Sequence, residues 1–230
     1  MGRCISAFVL FSVHILSRLF YRIDVRWVGD HGVDPWRELK SQNLRVIAFL
    51  HHTSLFEPIF TGGVPLHFLW FMAGRILVPG ADKTLQRPIV GTFYKLLTPA
   101  MVPISRKRDA SWDGFLSRIS EDTIVMLAPE GRMMRRNGLD SKGQPMSVRG
   151  GIGEILQDIP SGKMLLCYSS GLHHIQSPGE RFPRIFQTAR ITYEIVDIAA
   201  YKRSLAGGDA PLKLAVAKDL EARLEKYRWR

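Results

Sequence analysis

Three short apolar runs in this chain each stop abruptly at polar residues, and this pattern constrains the fold more than any other feature of the sequence. Apolar runs of about four to eight residues are typical of buried strands. In open α/β sheets, ligands bind at the carboxyl ends of the strands, so the polar residues after each run are candidate functional residues. The runs are residues 46–50, which end at His51 and His52; residues 100–104, which end at Ser105 and Arg106; and residues 124–128, which end at Pro129, Glu130 and Gly131.

The rest of the chain alternates between strand-length apolar stretches and apolar stripes at helical spacing. Within residues 109–120, Trp112, Phe115, Leu116 and Ile119 recur at i, i+3, i+4 and i+7, which predicts a helix. The alternation predicts an α/β fold, in which a mixed sheet is flanked by helices and preceded by an apolar membrane-associating helix. The other predicted strands are residues 23–28, 65–73, 164–168 and 191–196, and the other predicted helices are residues 34–40, 89–97, 151–156 and 212–227.

The charge balance restricts the class of partner. The chain has 32 Lys and Arg residues against 21 Asp and Glu residues, a net charge of +11, which favours an anionic partner. Zinc-finger spacing, aromatic–basic RNA signatures and recognition-helix patterns are all missing, so we expect an anionic membrane surface rather than nucleic acid. Cys4 and Cys167 lie far apart and predict no disulfide framework, which indicates a reducing compartment. His173 and His174 have no Cys or carboxylate at metal-ligand spacing, so we expect no metal.

Residues 4–20 are mostly apolar. The run is short for a membrane-spanning helix, which needs about 20 apolar residues, and it lacks the small-residue cleavage pattern of a signal peptide. We therefore expect a monotopic helix that lies in the cytoplasmic leaflet, anchored by Arg3, Arg18 and Arg22. A buried core helix is the alternative. The predicted division is a membrane-interface helix at residues 1–22 and an α/β domain at residues 23–230.

His52 and Glu57 are the strongest candidates for catalysis. A histidine at the end of a buried strand, with a carboxylate one turn later, can build a general base and the group that orients it. No Ser or Cys nucleophile motif lies beside the pair, so the base would act on a hydroxyl of the substrate. Residues 54–57 also fit a capping box, in which Glu57 would only satisfy a backbone donor, although Pro58 disfavours helical geometry at Glu57.

In order and spacing, these blocks resemble those of the glycerophospholipid acyltransferase superfamily, which includes the lysophosphatidic acid acyltransferases. The resemblance covers roughly residues 40–175. Glu57 stands where most of the family has Asp, as in the lipid A acyltransferase branch, and His51 replaces Asn. The late block, residues 163–170, lacks the usual prolines. The matching blocks are His51–Glu57 for Asn-His-x-x-x-x-Asp, residues 87–91 and 102–106 for the second block, and residues 128–132 for Pro-Glu-Gly-Thr-Arg, where Arg132 follows Gly131 directly.

The resemblance implies an acyl transfer without a covalent enzyme intermediate. His52 would remove the proton from an acceptor hydroxyl, and Glu57 would orient His52. The hydroxyl oxygen would attack the thioester of an acyl-CoA or an acyl-carrier protein, which is the co-substrate, and no cofactor would be bound.

The same resemblance implies a binding site for a lysophospholipid or glycerol-phosphate acceptor. Arg106 and Arg132 would hold the acceptor phosphate, since a planar guanidinium suits bidentate oxyanion contacts. Glu130 would contact an acceptor hydroxyl or hold one of these arginines. Backbone N–H groups near Gly131 would stabilise the oxyanion.

Two other functions stay open on the sequence alone. The first is an acyltransferase-like protein that binds anionic lipid without turnover, but an intact pair of His52 and Glu57 argues against it, because a binding module needs neither residue. The second is a thioester or lipid hydrolase in which His52 activates water.

Overall fold

The computed structural model describes residues 2–30, 34–105, 109–207 and 210–229. Helix α1 spans Gly2–Phe20 and leads into β1, Tyr21–Trp27; α2, Pro35–Ser41, and β2, Leu44–Leu50, follow. A 3-10 helix covers Glu57–Gly63, and after it come α3 (Leu66–Met72), β3 (Ile76–Ala81), α4 (Asp82–Leu85), α5 (Pro88–Leu97) and β4 (Ala100–Ile104). The remaining elements are α6 (Ala110–Leu116), β5 (Ile124–Leu127), α7 (Gly151–Asp158), β6 (Lys163–Ser169), β7 (Gln187–Asp197), α8 (Ile198–Leu205) and α9 (Leu212–Tyr227).

The strands form one mixed sheet flanked by helices, which confirms the α/β part of the predicted fold. Among the described residues the sheet has 7 strands in the order β1-β7-β6-β2-β5-β3-β4. Strands β6, β2, β5, β3 and β4 run parallel, whereas β7 is antiparallel to β6 and parallel to β1. The carboxyl ends of β6, β2, β5, β3 and β4 therefore meet at one edge of the sheet, which we call the site edge.

Each face of the sheet carries its own apolar core. In β2, Val46, Ala48 and Leu50 pack into a cluster with α6, α7, α8 and α9, while Ile47 packs on the other face with α2, α3 and the 3-10 helix. Strand β2 is buried along almost its whole length, as expected for a central parallel strand covered on both faces. The sheet therefore holds the end of β2 rigidly, next to β5 and β6.

The predicted strand at residues 65–73 is wrong, because this segment forms α3. Phe68, Leu69 and Met72 are buried at i, i+1 and i+4, while Leu66 and Trp70 stay exposed. A short, continuous apolar run has no periodicity that separates a strand from a buried helix, so tertiary packing decides. Gly74 ends this segment with a φ of 76°, a conformation that other residues rarely adopt.

The sequence analysis did not predict strand β3, because Pro79 and Gly80 interrupt its apolar pattern. A proline cannot donate to a strand ladder and argues against a central strand. In the structure, β5 pairs only with Ile76 and Leu77, so Pro79 lies beyond that ladder and pairs only with β4, beside Val102. The predicted helix at residues 109–120 is also shorter than expected and ends at Leu116.

Helix α1 packs closely against the 3-10 helix. A Cβ added to Gly62 would lie 2.9 Å from the Cβ of Ser17, so only glycine permits this approach. His14 Nδ1 lies 2.8 Å from the carbonyl oxygen of Thr61, and the Ser6 hydroxyl donates to the carbonyl of Leu97 at 2.7 Å. By length and composition α1 is able to cross a membrane, a test that signal sequences and core helices of soluble proteins also pass.

Close packing of α7 on α9 gives a test of the helical layer. A Cβ added to Gly153 would lie 2.5 Å from the Cα of Lys213. We expect Gly153→Ala to lower the free energy of unfolding by about 1–3 kcal/mol, because the helices must move apart. Urea unfolding followed by circular dichroism measures this change.

Gly114→Ala is the matched control for that experiment. Gly114 also lies within a helix, but an added Cβ has no neighbour within 4 Å. Alanine should leave stability unchanged or raise it by up to about 1 kcal/mol, since it has the higher helix propensity. Equal stability of the two variants would show that α7 and α9 are not in close contact.

Candidate active site

The candidate functional residues converge where β2 and β5 end. Ala48 of β2 lies beside Leu127 of β5, so the two loops that follow leave the sheet side by side. The backbone N–H of His51 donates to Glu130 Oε1 at 2.9 Å, and that of His52 donates to Glu130 Oε2 at 2.8 Å. Glu130 is only 3% exposed. One carboxylate thus holds the backbone at both histidines.

This placement gives Glu130 partners that the resemblance did not imply, while its contact with an acceptor hydroxyl stays a prediction. Both of its oxygens accept hydrogen bonds from the histidine loop, and neither bonds to an arginine within the described residues. Burial raises the pKa of Glu130, and the two backbone N–H groups oppose that rise. We infer that Glu130 positions His52. The sequence analysis singled out Glu130 but could not predict its hydrogen bond to the N–H of His52, which lies 78 residues away in the chain.

His52 and Glu57 form a direct hydrogen bond. His52 Nδ1 lies 2.7 Å from Glu57 Oε1, and the two side chains are 16% and 14% exposed. With Nδ1–H donating to the carboxylate, the neutral ring keeps a lone pair on Nε2, which has no hydrogen-bond partner within the described residues. The arrangement suits a general base at Nε2 and an orienting carboxylate at Nδ1.

The capping-box alternative does not fit this geometry. The 3-10 helix begins at Glu57 itself, and its N-cap residue, Phe56, makes no side-chain cap bond. The Ser54 hydroxyl accepts instead from the backbone N–H of Phe56 at 3.1 Å. Glu57 Oε1 receives only a long bond from the N–H of Thr53, at 3.3 Å, beside its short contact with the imidazole.

The surroundings of His52 favour its protonated form. Burial on its own lowers the pKa of His52, but the charge and hydrogen bond of Glu57, together with the charge of Glu130, outweigh burial. The pKa of His52 therefore lies above its ordinary value of 6.5. His51 is different: its pKa is lowered, mainly by burial, and its Nδ1 lies 2.9 Å from the carbonyl oxygen of Ser169. Of these two histidines, His52 is the one with a raised pKa and a ring nitrogen without a hydrogen-bond partner among the described residues.

The loop after β2 is anchored from several sides. His51 has a φ of 65°, an uncommon conformation for a residue with a side chain, and it turns the chain away from the strand. The Thr53 hydroxyl accepts from the N–H of Leu172 at 2.7 Å, and the carbonyl of His52 accepts from the N–H of Met134 at 2.8 Å. These contacts hold the backbone on both sides of the imidazole.

Of the two arginines predicted to hold the acceptor phosphate, the structure describes only Arg132. Arg106 lies outside the described residues. The guanidinium of Arg132 hydrogen-bonds to the side chain of Asp140, which is fully buried. Backbone N–H groups of Gln144 and Lys142, together with Arg132, lower the pKa of Asp140 to about 2. Arg132 is therefore held in a stable internal ion pair.

Gly131 has a φ of 65°, and its N–H is already in use. It donates to the carbonyl of Ala128 at 2.9 Å, so it is not available to an oxyanion. The N–H of Arg132 forms no hydrogen bond within the described residues. Of the backbone donors near Gly131, that of Arg132 is the better candidate for the oxyanion site.

Sequence reasoning missed Arg149, a second arginine beside Gly131. Its Cγ lies 4.0 Å from the position that a Cβ on Gly131 would occupy. The side chain is exposed, and its guanidinium forms no hydrogen bond or ion pair within the described residues. Its place before Gly150 and Gly151, at the start of α7, was the only signal in the sequence.

A cavity of about 610 Å³ lies at the site edge and extends along the face of the sheet that α2, α3 and the 3-10 helix cover. Its mouth is the end beside Gly131 and Arg149, which are exposed. The volume of the cavity lies within the range of about 300–1,000 Å³ that is usual for ligand sites. His52, Glu57, Arg132 and Arg149 line its polar part. The larger part is apolar and includes Ile47, Phe68, Met72, Ile76, Leu165 and Cys167. Burial raises the pKa of the Cys167 thiol, so this cysteine is an inert part of the wall.

No protein-family model matches the chain, and no curated protein matches it significantly. Among the described residues, no three His, Cys, Asp or Glu side chains are placed to hold a metal ion. The resemblance to the acyltransferases therefore rests on the sequence blocks alone.

The role of Glu130 can be tested through stability. Glu130→Gln keeps the shape of the side chain, but its NH₂ group would face a backbone N–H. One buried N–H group would lose its acceptor, so we expect the free energy of unfolding to fall by about 1–3 kcal/mol. Glu225→Gln is the matched control: its side chain is 64% exposed and pairs with Arg228 at the surface, so the change should be below about 1 kcal/mol. Chemical denaturation of both variants makes the comparison, and equal stabilities would argue against the positioning role.

Proposed function

We propose that this protein is an O-acyltransferase, which moves an acyl group from an acyl-CoA or acyl-carrier-protein thioester to a hydroxyl of a glycerophospholipid-type acceptor. The observation that carries the proposal is the hydrogen bond of 2.7 Å between His52 and Glu57 at the mouth of a largely apolar cavity. The pair supplies a base without a protein nucleophile, and the cavity supplies room for an acyl chain.

The proposed reaction needs only the groups in the site and the two substrates. His52 Nε2 takes the proton of the acceptor hydroxyl as the hydroxyl oxygen bonds to the thioester carbonyl carbon. The carbon–sulfur bond then breaks, and the thiolate takes the proton back from Nε2 to leave as a thiol. Glu57 stabilises the imidazolium in between, because its carboxylate accepts the Nδ1–H bond.

The apolar part of the cavity fits the acyl chain of the donor. Burial of a methylene group contributes about 0.8 kcal/mol, so a long chain gains most of its binding energy there. A thioester carbonyl at the mouth then lies near His52, where the acceptor hydroxyl must also arrive. Water would face the same base, so a hydrolase is the second candidate, but an apolar interior with an open cationic mouth favours a lipid acceptor.

Substitution of the pair tests the proposal directly. His52→Ala and Glu57→Gln should each lower kcat for transfer by about 10²–10⁴-fold, since a positioned base contributes that much. A labelled acyl-CoA with a panel of lysolipids is the assay. Transfer supports the proposal, release of free acid indicates the hydrolase, and neither product in the wild-type protein indicates a binding protein.

His174→Ala is the matched control for these substitutions. Its side chain is exposed, and its Nε2 contacts only the backbone carbonyl of Thr188. It should keep wild-type turnover. Wild-type turnover in His52→Ala, with an unchanged melting temperature, would rule out the assigned base.

The pH dependence follows from the raised pKa of His52. The base acts when neutral, so kcat/KM should rise with pH through an apparent pKa above 6.5. Glu57→Gln removes the charge that favours the imidazolium, and this limb should move to lower pH while its plateau falls. A pH–rate profile of both proteins measures the shift. A limb that stays in place would mean that the titrating group is not His52.

Arg149 is our candidate for the acceptor's anionic group, because Arg132 is already bonded to Asp140. Arg149→Ala should raise KM for a phosphorylated acceptor by about 10- to 100-fold, as expected for a charge-assisted contact, and leave KM for the donor nearly unchanged. Arg132→Ala should chiefly lower stability. Arg118→Ala, at an exposed arginine without an ion pair within the described residues, is the control. Equal effects on both substrates would contradict the assignment.

We place the proposed enzyme on the cytoplasmic leaflet of a membrane. The outward face of α1 carries Ile5, Phe8, Ile15, Leu16 and Leu19, all at least 41% exposed, and no charged residue interrupts this stripe. Such a face needs a non-aqueous partner. A lysolipid acceptor would lie in the leaflet, while the thioester donor is soluble in the cytoplasm.

A further inference from the structure

A second exposed apolar group lies far from α1 in the sequence. In the loop before β7, Phe182 is 72% exposed, Ile185 is 46% exposed and Phe186 is 74% exposed. Arg181 and Arg184 are interspersed with them. Large aromatic side chains at such exposure cost free energy in water, so a cluster of them indicates a surface that is covered in use.

The sheet topology brings this loop to the end of α1. Strands β1 and β7 pair in parallel with Tyr21 beside Gln187, so the residues before each strand emerge together. The N–H of Phe186 donates to the carbonyl of Phe20 at 2.7 Å, and their ring centroids lie 6.1 Å apart. Leu19, which is 64% exposed, extends the same surface.

This surface lies on the site edge. Strand β7 is antiparallel to β6, with Ser169 beside Ile191, so β7 begins at the edge where β6 and β2 end. The exposed loop therefore projects from the same edge of the sheet that carries His52. A lipid that enters from a membrane under this loop would reach the cavity mouth without crossing the sheet.

The backbone at Phe186 supports an outward role for its ring. Phe186 has a φ of 59°, a left-handed conformation that is unfavourable for a bulky side chain. Burial of the ring does not compensate for it, because the side chain stays 74% exposed. Residues with backbone strain of this kind cluster at functional sites.

We propose that residues 182–186 form a second membrane-inserting element, which acts with the outward face of α1 on an anionic bilayer and turns the cavity mouth toward the leaflet. Arg18 and Arg181 flank the surface and form no ion pair within the described residues. Their charge suits anionic headgroups. In a symmetric pairing of two copies, the same arginines would face each other, so a bilayer is the better partner. The inference rests on the membrane location in the proposed function.

Vesicle binding of the full chain tests the loop. The double variant Phe182→Ser with Phe186→Asn removes both rings, and asparagine tolerates the left-handed backbone. We expect its partition coefficient onto vesicles of phosphatidylcholine with phosphatidylglycerol to fall about tenfold or more, with an unchanged melting temperature. Leu214→Ser is the matched control. Leu214 is 55% exposed on α9, which covers the face of the sheet opposite to the one that α1 contacts. It should bind like the wild type.

Unchanged binding by the double variant would overturn the inference, as would equal binding of the wild type to neutral vesicles. A dimer in sedimentation that the double variant abolishes, without vesicle binding, would assign the surface to a second copy instead.

If the double variant does not fold, Phe182→Ser alone still tests the inference. The ring of Phe182 is 72% exposed and contacts the guanidinium of the neighbouring Arg181, so its loss should not unfold the protein. The assay needs no turnover, so an inactive protein still tests it. Turnover of a water-soluble acceptor without vesicle binding would refute the loop's role and leave the transferase proposal intact.

Discussion

The carboxylate of Glu130 connects the parts of this structure that matter for the site. By accepting the N–H groups of His51 and His52, it ties the loop after β2 to the loop after β5. Two backbone hydrogen bonds lie beside it: the carbonyl of His52 accepts from the N–H of Met134, and the carbonyl of Pro129 accepts from the N–H of Arg149. Without Glu130, two buried N–H groups would lack acceptors and the imidazole would lose its fixed backbone.

Helix α1 supports the other half of the pair. Glu57 opens the 3-10 helix, and the end of that helix lies directly on α1 and β1 at Gly62 and Gly63. The position of the carboxylate therefore depends on the seating of α1. Helix α1 has two unlike faces: one packs inward and carries small and polar residues such as Ser6, His14 and Ser17, and the other is apolar and exposed.

The arrangement separates charge from apolar volume. Cations and the His52–Glu57 pair lie at the site edge, while the cavity behind them is walled by the apolar core. The proposed function uses this separation, with the polar group of a lipid substrate at the site edge and its acyl chain in the cavity. The exposed loop before β7 emerges at the same edge. The cavity therefore lies on the same side of the molecule as the proposed reaction and the proposed membrane surface, because five parallel strands end there.

The sequence by itself determined the features that depend on local pattern. The strand-length apolar runs predicted β2, β4 and β5, the helical stripes predicted α6 and α9, and the short spacing of His52 and Glu57 predicted that the two side chains would meet. These follow from backbone periodicity and short loops, which involve neighbours in the chain.

Only the tertiary structure decided the rest. Residues 66–72 became helical because of what they pack against, Glu130 bonds to a backbone that lies 78 residues away, and Arg149 reaches the cavity because α7 begins beside the turn after β5. Arg132, which the resemblance predicted to bind a phosphate, is bonded to Asp140. Each outcome depends on which distant groups meet in space, and a polar side chain's partner is set by that meeting rather than by its neighbours in sequence.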